Sequence, residues 1–229
     1  MYLVQISASL RPQTYFSAIR RSLVATAGTA PNAIDVDSVD AWPTNPDFER
    51  LYFDRAPLVV KGGVKHWPAM HKWSSAYLRD RCGNHEVPVE IGGSSYLDPN
   101  MQRVEMPLAL YLDYLDGLED DFAPPPSHRA YMAQARLPGL LDLTGGSHGG
   151  SSTSSDDSSN DIDEPAAVAA LGRGDVYARM AWLGPKGTVT PLHRDPYHNI
   201  LAQVGGLQII GEKASVCTVC YLIPHGSEF

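Results

Sequence analysis

Apolar residues along this chain recur with two different periods, and each period predicts a type of element. Spacings of three and four predict an amphipathic helix over residues 14–27, a short helix over 47–52 and another helix within 106–118. Ser74 is the predicted N-cap of a further helix, because a serine hydroxyl there can accept from the first free backbone N–H groups. Segments with a different pattern separate these helices.

Strands are predicted where short apolar runs are bounded by turn residues. One such run, over 56–62, starts close to Pro57 and ends at Gly62, which predicts a buried strand. Similar runs predict strands over 87–92, 130–135, 175–183 and 200–204, and the last two flank a turn-rich segment at 184–190. The pattern therefore indicates a mainly β fold with flanking α-helices.

The segment 144–164 follows neither period. It is rich in Gly, Ser and Asp and carries too few apolar side chains to order itself, so we expect a disordered acidic loop. We treat this loop as an insertion within one domain over 45–204. Residues 1–44 are expected to form a helical or disordered N-terminal extension, and residues 205–229 a divergent C-terminal tail.

Composition narrows the classes of function. A chain of 229 residues with 43% hydrophobic residues can bury one substantial core. The net charge of −8 disfavours direct binding of nucleic acid, which needs a basic face, and is compatible with a basic protein partner. Since no apolar run reaches the roughly 18 residues of a membrane span, we expect no membrane insertion. The oligomeric state is left open.

Cysteine usage bears on the compartment. Three cysteines are an odd and sparse set, which fits a reducing intracellular compartment better than a disulfide framework. Residues 1–34 lack Asp and Glu but contain Arg11, Arg20 and Arg21, a composition that organellar transit segments share. A frayed N-terminal helix is the alternative interpretation, and we prefer it.

The sharpest chemical feature is a His-x-Asp triplet formed by His193 and Asp195. On a strand, residues two apart project from the same face, so both side chains could bind one metal ion. An imidazole and a carboxylate, joined by a second and distant histidine, form the facial triad that holds non-haem iron(II) with open positions. A surface ion pair is the alternative interpretation of the triplet.

A long stretch of sequence around this triplet resembles a known family. The matching motifs occur in family order and are Pro57-Leu58-Val59-Val60-Lys61-Gly62, His66-Trp67-Pro68-Ala69-Met70, Lys72-Trp73-Ser74, Val87-Pro88-Val89-Glu90-Ile91-Gly92, Tyr131-Met132-Ala133-Gln134 and the segment 182–204. Over residues 45–204 the chain resembles the Jumonji C (JmjC) oxygenases, in particular their small branch of arginyl hydroxylases and lysine-demethylase-like proteins. The resemblance implies a cupin-like double-stranded β-helix, or jelly roll, that binds Fe(II) and 2-oxoglutarate.

The resemblance also implies roles for individual pocket residues. Tyr96, Thr190 and Asn199 correspond to positions that contact 2-oxoglutarate, and their hydroxyl and amide groups can hydrogen-bond a dicarboxylate. Trp182 corresponds to a wall of the same pocket. Each of these residues also has a purely structural interpretation: a core aromatic for Tyr96 and Trp182, a turn residue for Thr190 and a loop amide for Asn199.

For the metal, the resemblance makes His193 and Asp195 the first two iron ligands. The match stops after residue 204, before the late histidine that is the family's third ligand. His225 is the candidate for that ligand, with a surface histidine in the tail as the alternative. Gln208 stands where the family has a lysine that pairs with the far carboxylate of 2-oxoglutarate, so that charge pairing would be lost. We therefore expect a β-helix that is incomplete at its C-terminal end.

Three functions remain in view. The first is an intracellular dioxygenase, nuclear or cytoplasmic, that hydroxylates or demethylates arginine or lysine side chains of a protein. The acidic residues Asp156, Asp157, Asp161, Asp163 and Glu164 could attract a basic substrate of histone or ribosomal type. The second is a catalytically dead cupin-like fragment that binds a partner or competes with an active isoform. A metal-binding cupin of sugar-isomerase or storage type ranks last, because it leaves the Trp-Pro and Val-Pro-Val-Glu motifs without explanation.

Overall fold

The computed structural model describes residues 2–8, 37–53, 55–93, 97–118, 122–141, 161–163, 176–191, 198–205 and 219–223. For 2–8 and 219–223 the description covers the backbone alone. The predicted helix over 14–27 and most of the predicted acidic loop over 144–164 lie outside the described residues.

Within these ranges the chain forms nine strands and four α-helices. The strands are β1 (Tyr2–Ala8), β2 (Asp37–Val39), β3 (Leu58–Lys61), β4 (Glu86–Ile91), β5 (Gln102–Pro107), β6 (Ala130–Ala135), β7 (Val176–Leu183), β8 (His198–Gly205) and β9 (Val219–Ile223). The helices are α1 (Asn45–Leu51), α2 (Ala69–Lys72), α3 (Ser75–Cys82) and α4 (Leu108–Asp116). The prediction of a mainly β fold with flanking helices is confirmed. The short elements β2 and α2 and the largely exposed strand β5 were not predicted, since none of them carries an apolar run.

The helices start where local side chains satisfy their first N–H groups. The predicted N-cap, Ser74, accepts a hydrogen bond from the backbone N of Tyr77 at 3.2 Å and opens α3. Thr44 does the same for α1, with its hydroxyl oxygen 3.3 Å from the backbone N of Asp47. These caps explain why both helices begin close to the residues that the sequence indicates.

All nine strands belong to one sheet, in the order β2-β3-β9-β8-β1-β7-β6-β4-β5. Strand β1 lies between β7 and β8 and is antiparallel to both. Strand β9 lies between β3 and β8 and is parallel to both. The middle of the sheet is therefore built from segments that are far apart along the chain.

Strands are also present in both terminal segments. Residues 2–8 and 37–39 are strands of the sheet, so the prediction of a helical or disordered extension over 1–44 is wrong for these residues. Residues 219–223 likewise form a strand inside the segment expected to be a divergent tail. The physical reason is the same in each case, because the backbone N–H and C=O groups of the neighbouring strands bond to these segments.

The two faces of the sheet differ in what packs on them. One face, which we call the covered face, lies under the helices and contributes Val60, Val89, Met132, Ala181, Leu183 and Ile200 to a core shared with Phe48, Leu78, Tyr111 and Leu112. Because side chains alternate along a strand, the neighbouring residues Glu90, Tyr131, Trp182 and Asn199 lie on the opposite side, which we call the second face.

A buried carboxylate fixes the segment 161–163 to the covered side. Asp161 is 2% exposed, and its side chain accepts hydrogen bonds from Lys72 Nζ at 3.1 Å, Trp73 Nε1 at 3.0 Å and Tyr77 Oη at 2.7 Å. Its carbonyl accepts a bond from the backbone N of Ala69 at 2.8 Å. We call this arrangement the Asp161 anchor, and its charge is both paired and hydrogen-bonded, as a buried charge requires.

The anchor corrects part of the acidic-loop prediction. Ile162, beside Asp161, is 3% exposed and belongs to the core, so residues 161 and 162 are packed and not disordered. The Asp161 carboxylate is enclosed by its donors and is removed from the acidic cluster that was expected to attract a basic substrate. Asp163 stays largely exposed, with Oδ2 3.7 Å from Nε2 of His66.

Candidate functional site

Tyr131 is the centre of a polar group on the second face. It lies on β6 and pairs in register with Glu90 on β4. On the side of β7, its ring packs against Gly184. A Cβ atom at Gly184 would lie 2.6 Å from Cδ2 of Tyr131, so a larger residue there would push the ring away. The ring position is thus set by a strand pair on one side and a glycine on the other.

The side chains of Tyr131 and Thr190 are hydrogen-bonded to each other. Burial raises the pKa of the Tyr131 phenol well above its ordinary value; the bond to Thr190 opposes this rise and the charge of Glu90 adds to it. The phenol therefore stays protonated and keeps an O–H donor at neutral pH. Two hydroxyl groups from different elements meet at one point of the second face.

The turn after β7 delivers Thr190 to this point. Thr188 bonds twice to the carbonyl of Pro185, through Oγ1 at 2.9 Å and through its backbone N at 3.3 Å. Gly187 has φ of 83°, a conformation that glycine adopts without strain. Thr190 itself is exposed, so a small molecule can reach its hydroxyl.

Glu90 places a carboxylate beside this hydroxyl pair. The residue is half-buried, and burial raises the pKa of its carboxyl while the charge of Arg103 opposes the rise. Arg103 lies directly across on β5. The carboxylate is therefore removed from water in part, with an arginine on one side and a tyrosine on the other.

Trp182 and Asn199 lie on the same face, at different heights. Trp182 is half-buried and shares a row across β1 with Gln203 of β8, whereas Asn199 shares a row with Ala178. Four residues along β7 separate the two rows, which is about 13 Å in strand geometry. Asn199 is 2% exposed. The structure brings Thr190 together with Tyr131 and leaves Asn199 towards the other end of the face.

The remaining residues of the predicted site lie outside the described residues. These are Tyr96, His193, Asp195, Gln208 and His225. Among the residues that the structure does describe, no group of three or more His, Cys, Asp or Glu is arranged to hold a metal ion. In the same part of the chain, no helix is long and apolar enough to cross a membrane.

Sequence reasoning missed Tyr131 and Glu90 as site residues. Both stand inside motifs that carry the family resemblance, and both are polar residues at alternating positions of apolar strands. That signal marks a residue that faces away from a covered core. It does not show that the two are paired, because pairing depends on the register between strands.

Comparison with known proteins decides the family. A family model described as a cupin-like domain matches residues 44–209. The chain belongs to the cupin-like JmjC family. A relative in Drosophila melanogaster, the Jumonji C domain-containing protein 5, is 34% identical over 205 residues. The resemblance and the predicted cupin-like, mainly β fold are thereby confirmed, and the expected incompleteness at the C-terminal end stays a prediction.

Two further JmjC relatives carry names that describe activities. Lysine-specific demethylase JMJ30 of Arabidopsis thaliana is 32% identical, and the human bifunctional peptidase and (3S)-lysyl hydroxylase JMJD7 is 31% identical. The alignments cover 85%, 69% and 75% of this chain for the fly, plant and human proteins, but 45%, 33% and 52% of those proteins. The chain thus spans between a third and about half the length of the relatives that it matches.

Proposed function

We propose that this chain is an Fe(II)- and 2-oxoglutarate-dependent oxygenase that acts on a lysine or arginine side chain of a protein. The observation that carries the proposal is the hydrogen-bonded pair Tyr131–Thr190 on the second face. Thr190 stands three residues before His193 in the sequence, which links the pair to the proposed metal ligands along the chain. Membership of the cupin-like JmjC family supports the same chemistry.

The donor set fits a dicarboxylate. A carboxylate accepts hydrogen bonds only, and the hydroxyl pair can donate to it. While Tyr131 and Thr190 are bonded to each other, one of their two protons is free for the cosubstrate, and both are free when that bond opens. Burial keeps the Tyr131 phenol protonated, so its donor persists at neutral pH. With a neutral Gln208 in place of a lysine, these hydroxyl groups would bear more of the cosubstrate's recognition. Tyr96 remains a proposed contact and Trp182 a proposed wall, while Asn199, four residues further along the face than Trp182, would contact a different part of the pocket.

The metal would be held by His193 and Asp195, with His225 as the candidate third ligand. Iron bound there would supply the activation of oxygen that hydroxylation of a C–H bond needs. The chain's own residues would orient the reactants: the hydroxyl pair holds the cosubstrate, and the turn 184–191 fixes Thr190 beside Tyr131.

The position of Glu90 is an argument for a substrate with a basic side chain. Its half-buried carboxylate lies next to Tyr131, and a lysine or arginine that reached the second face would pair with it. Two relatives are named for demethylation or hydroxylation of lysine. A protein substrate with a basic residue at the reacting position follows, of the kind found in histones or ribosomal proteins.

Anaerobic titration with iron(II) and 2-oxoglutarate tests the proposal. The wild-type protein should develop the weak visible charge-transfer band of a chelated keto acid, and His193→Ala should abolish it. Tyr131→Phe and Thr190→Val should weaken 2-oxoglutarate about tenfold, the effect of one lost hydrogen bond to a charged group. Tyr114→Phe is the control, since that hydroxyl lies on α4 and bonds to backbone groups of His128 and Ala130, away from the turn that carries Thr190. If the wild type, Tyr131→Phe, Thr190→Val and the control bound 2-oxoglutarate with equal affinity, the hydroxyl pair would have no role in binding it.

A second function is favoured by one sequence observation. Gln208 removes the positive charge that the family uses for the far carboxylate, so a protein that binds partners without turnover is the alternative. A folded wild-type protein with no band and no 2-oxoglutarate binding would support that alternative.

A further inference from the structure

We propose that three exposed apolar side chains around the hydroxyl pair form a docking surface for the protein substrate, which selects an apolar residue a few positions from the basic one. The residues are Leu97, Phe122 and Val189, which are 68%, 49% and 57% exposed. We call them the apolar rim. The inference rests on the proposed function, because the apolar rim would determine which substrate sequences the proposed oxygenase prefers.

Contacts between three loops bring the rim residues to the same part of the molecule. The backbone N of Gly92 donates to the carbonyl of Arg129 at 2.9 Å, which joins the loop after β4 to the segment before β6. A Cβ atom at Gly187 would lie 3.5 Å from Cβ of Ala123 and 3.1 Å from an Arg129 nitrogen, which joins that segment to the turn after β7. Tyr131 follows directly on β6.

Hydrogen bonds hold the described residues close to Leu97 and Phe122 in place. Asp98, beside Leu97, accepts bonds from the backbone N of Asn100 at 2.9 Å and from its side-chain amide at 3.1 Å. Arg129 donates to the carbonyl of Pro124 at 2.8 Å and so fixes the segment that carries Phe122. A partner that docks on such loops loses little free energy to ordering them.

Charge and apolar surface together define the occupant. Glu90 lies on β4 two residues before Gly92, whose backbone N bonds to Arg129, and its carboxylate matches a basic side chain. An extended peptide could therefore place a lysine or arginine at Glu90 and an apolar residue on the rim. Scattered exposed apolar residues are ordinary, but apolar residues on three connected loops beside a polar site indicate an interaction surface.

Equilibrium binding of labelled peptides, measured by fluorescence anisotropy without iron, tests the inference. The probes are short Ser/Gly peptides with one central arginine or lysine and one leucine, which is moved through the neighbouring positions. The wild-type protein should bind best when the leucine is a few positions from the basic residue. Leu97→Ser, Phe122→Ser and Val189→Ser should each weaken that peptide roughly fivefold to tenfold, in line with the loss of apolar burial.

Leu110→Ser is the matched control, since Leu110 is 56% exposed on α4, outside the three rim loops. The rim has no such role if the leucine makes no difference, if no probe binds, or if Leu110→Ser weakens binding as much as the rim variants do. Because iron is absent, a failed oxygenase would leave the leucine dependence in place. Conversely, if the protein turned over 2-oxoglutarate but bound peptides with and without leucine equally well, the docking role of the rim would be refuted and the oxygenase function would stand.

Discussion

Asp161 and Glu90 are carboxylates that are both shielded from water, one on each side of the sheet. Their surroundings differ, and that difference shows how the two sides differ in role. Asp161, on the covered side, is 2% exposed and accepts three side-chain hydrogen bonds. Glu90, on the second face, is half-buried beside a tyrosine, and burial raises the pKa of its carboxyl in spite of Arg103. One charge is fully compensated and the other is not, which is how structural and binding sites commonly differ.

Two tyrosines repeat this contrast. The Tyr111 hydroxyl donates to the carbonyl of Leu183 at 2.5 Å, lies 3.2 Å from the carbonyl of Ala130 and accepts from the backbone N of Met132 at 3.2 Å. It therefore ties α4 to β6 and β7. The Tyr131 hydroxyl instead bonds to an exposed threonine in a turn. The covered side uses polar groups to stabilise the fold, and we propose that the second face presents them to a ligand.

The largest effect is expected when the Asp161 anchor is weakened. Asp161→Asn keeps the size of the side chain but sets an amide against three donors, so one donor or more loses its acceptor. The free energy of unfolding should fall by about 3 kcal/mol, as when one partner of a buried charged network is removed. Urea unfolding at neutral pH measures the change.

Asp163→Asn is the control for the anchor. Its carboxylate is 54% exposed and 3.7 Å from a half-exposed His66, and such pairs contribute between about 0 and 1 kcal/mol. If the two variants lost equal stability, the hydrogen bonds at Asp161 would not be what holds the segment 161–163.

A smaller loss is expected at Tyr111. Tyr111→Phe leaves the carbonyl of Leu183 and the N–H of Met132 without this partner inside the core, so stability should fall by about 2 kcal/mol. Tyr114→Phe is the control on the same helix, because that hydroxyl makes longer bonds at a more exposed position. Thermal unfolding followed by circular dichroism compares the two. A loss at Tyr114 as large as at Tyr111 would contradict the special role of the buried hydroxyl.

Local signals account for the elements that the sequence could predict. Strand β6 spans the predicted residues 130–135, and Ser74 caps α3, because alternation and capping act within a few residues. Strand β1 could not be predicted in the same way. Its partners, β7 and β8, come from the other half of the chain, so its place in the sheet depends on long-range pairing.

The same distinction limits what could be known of the site. Thr190 could be predicted as a site residue from a family motif, and the structure shows that Tyr131 is its hydrogen-bond partner. Tyr131 and Glu90 gain their importance from the register of β4 with β6, which no single strand contains. Asp161 was hidden by the polar composition around it, since three distant donors, and not its own neighbours, make it a core residue.

The smallest effect is expected at Glu90. The Glu90 carboxyl has a higher pKa in the folded protein than in the unfolded chain. Between these two pKa values the folded state binds more protons, so the free energy of unfolding falls as the pH rises through this window and stays lower above it. Glu90→Gln removes this titration. Relative to the wild type, the variant should gain a few tenths of a kcal/mol between acidic and neutral pH, a small gain because the site is partly exposed and Arg103 loses its charge partner.

Urea unfolding of both proteins near pH 4 and at pH 7 measures that gain, with Glu105→Gln, an exposed carboxylate on β5, as the control that should show none. The same Glu90→Gln variant should bind basic peptides several-fold more weakly, because the charge that meets the substrate is gone. A protein that loses binding without losing stability places Glu90 in the binding site. A Glu90→Gln protein destabilised as much as Asp161→Asn would instead make both carboxylates structural and remove the contrast between the two faces.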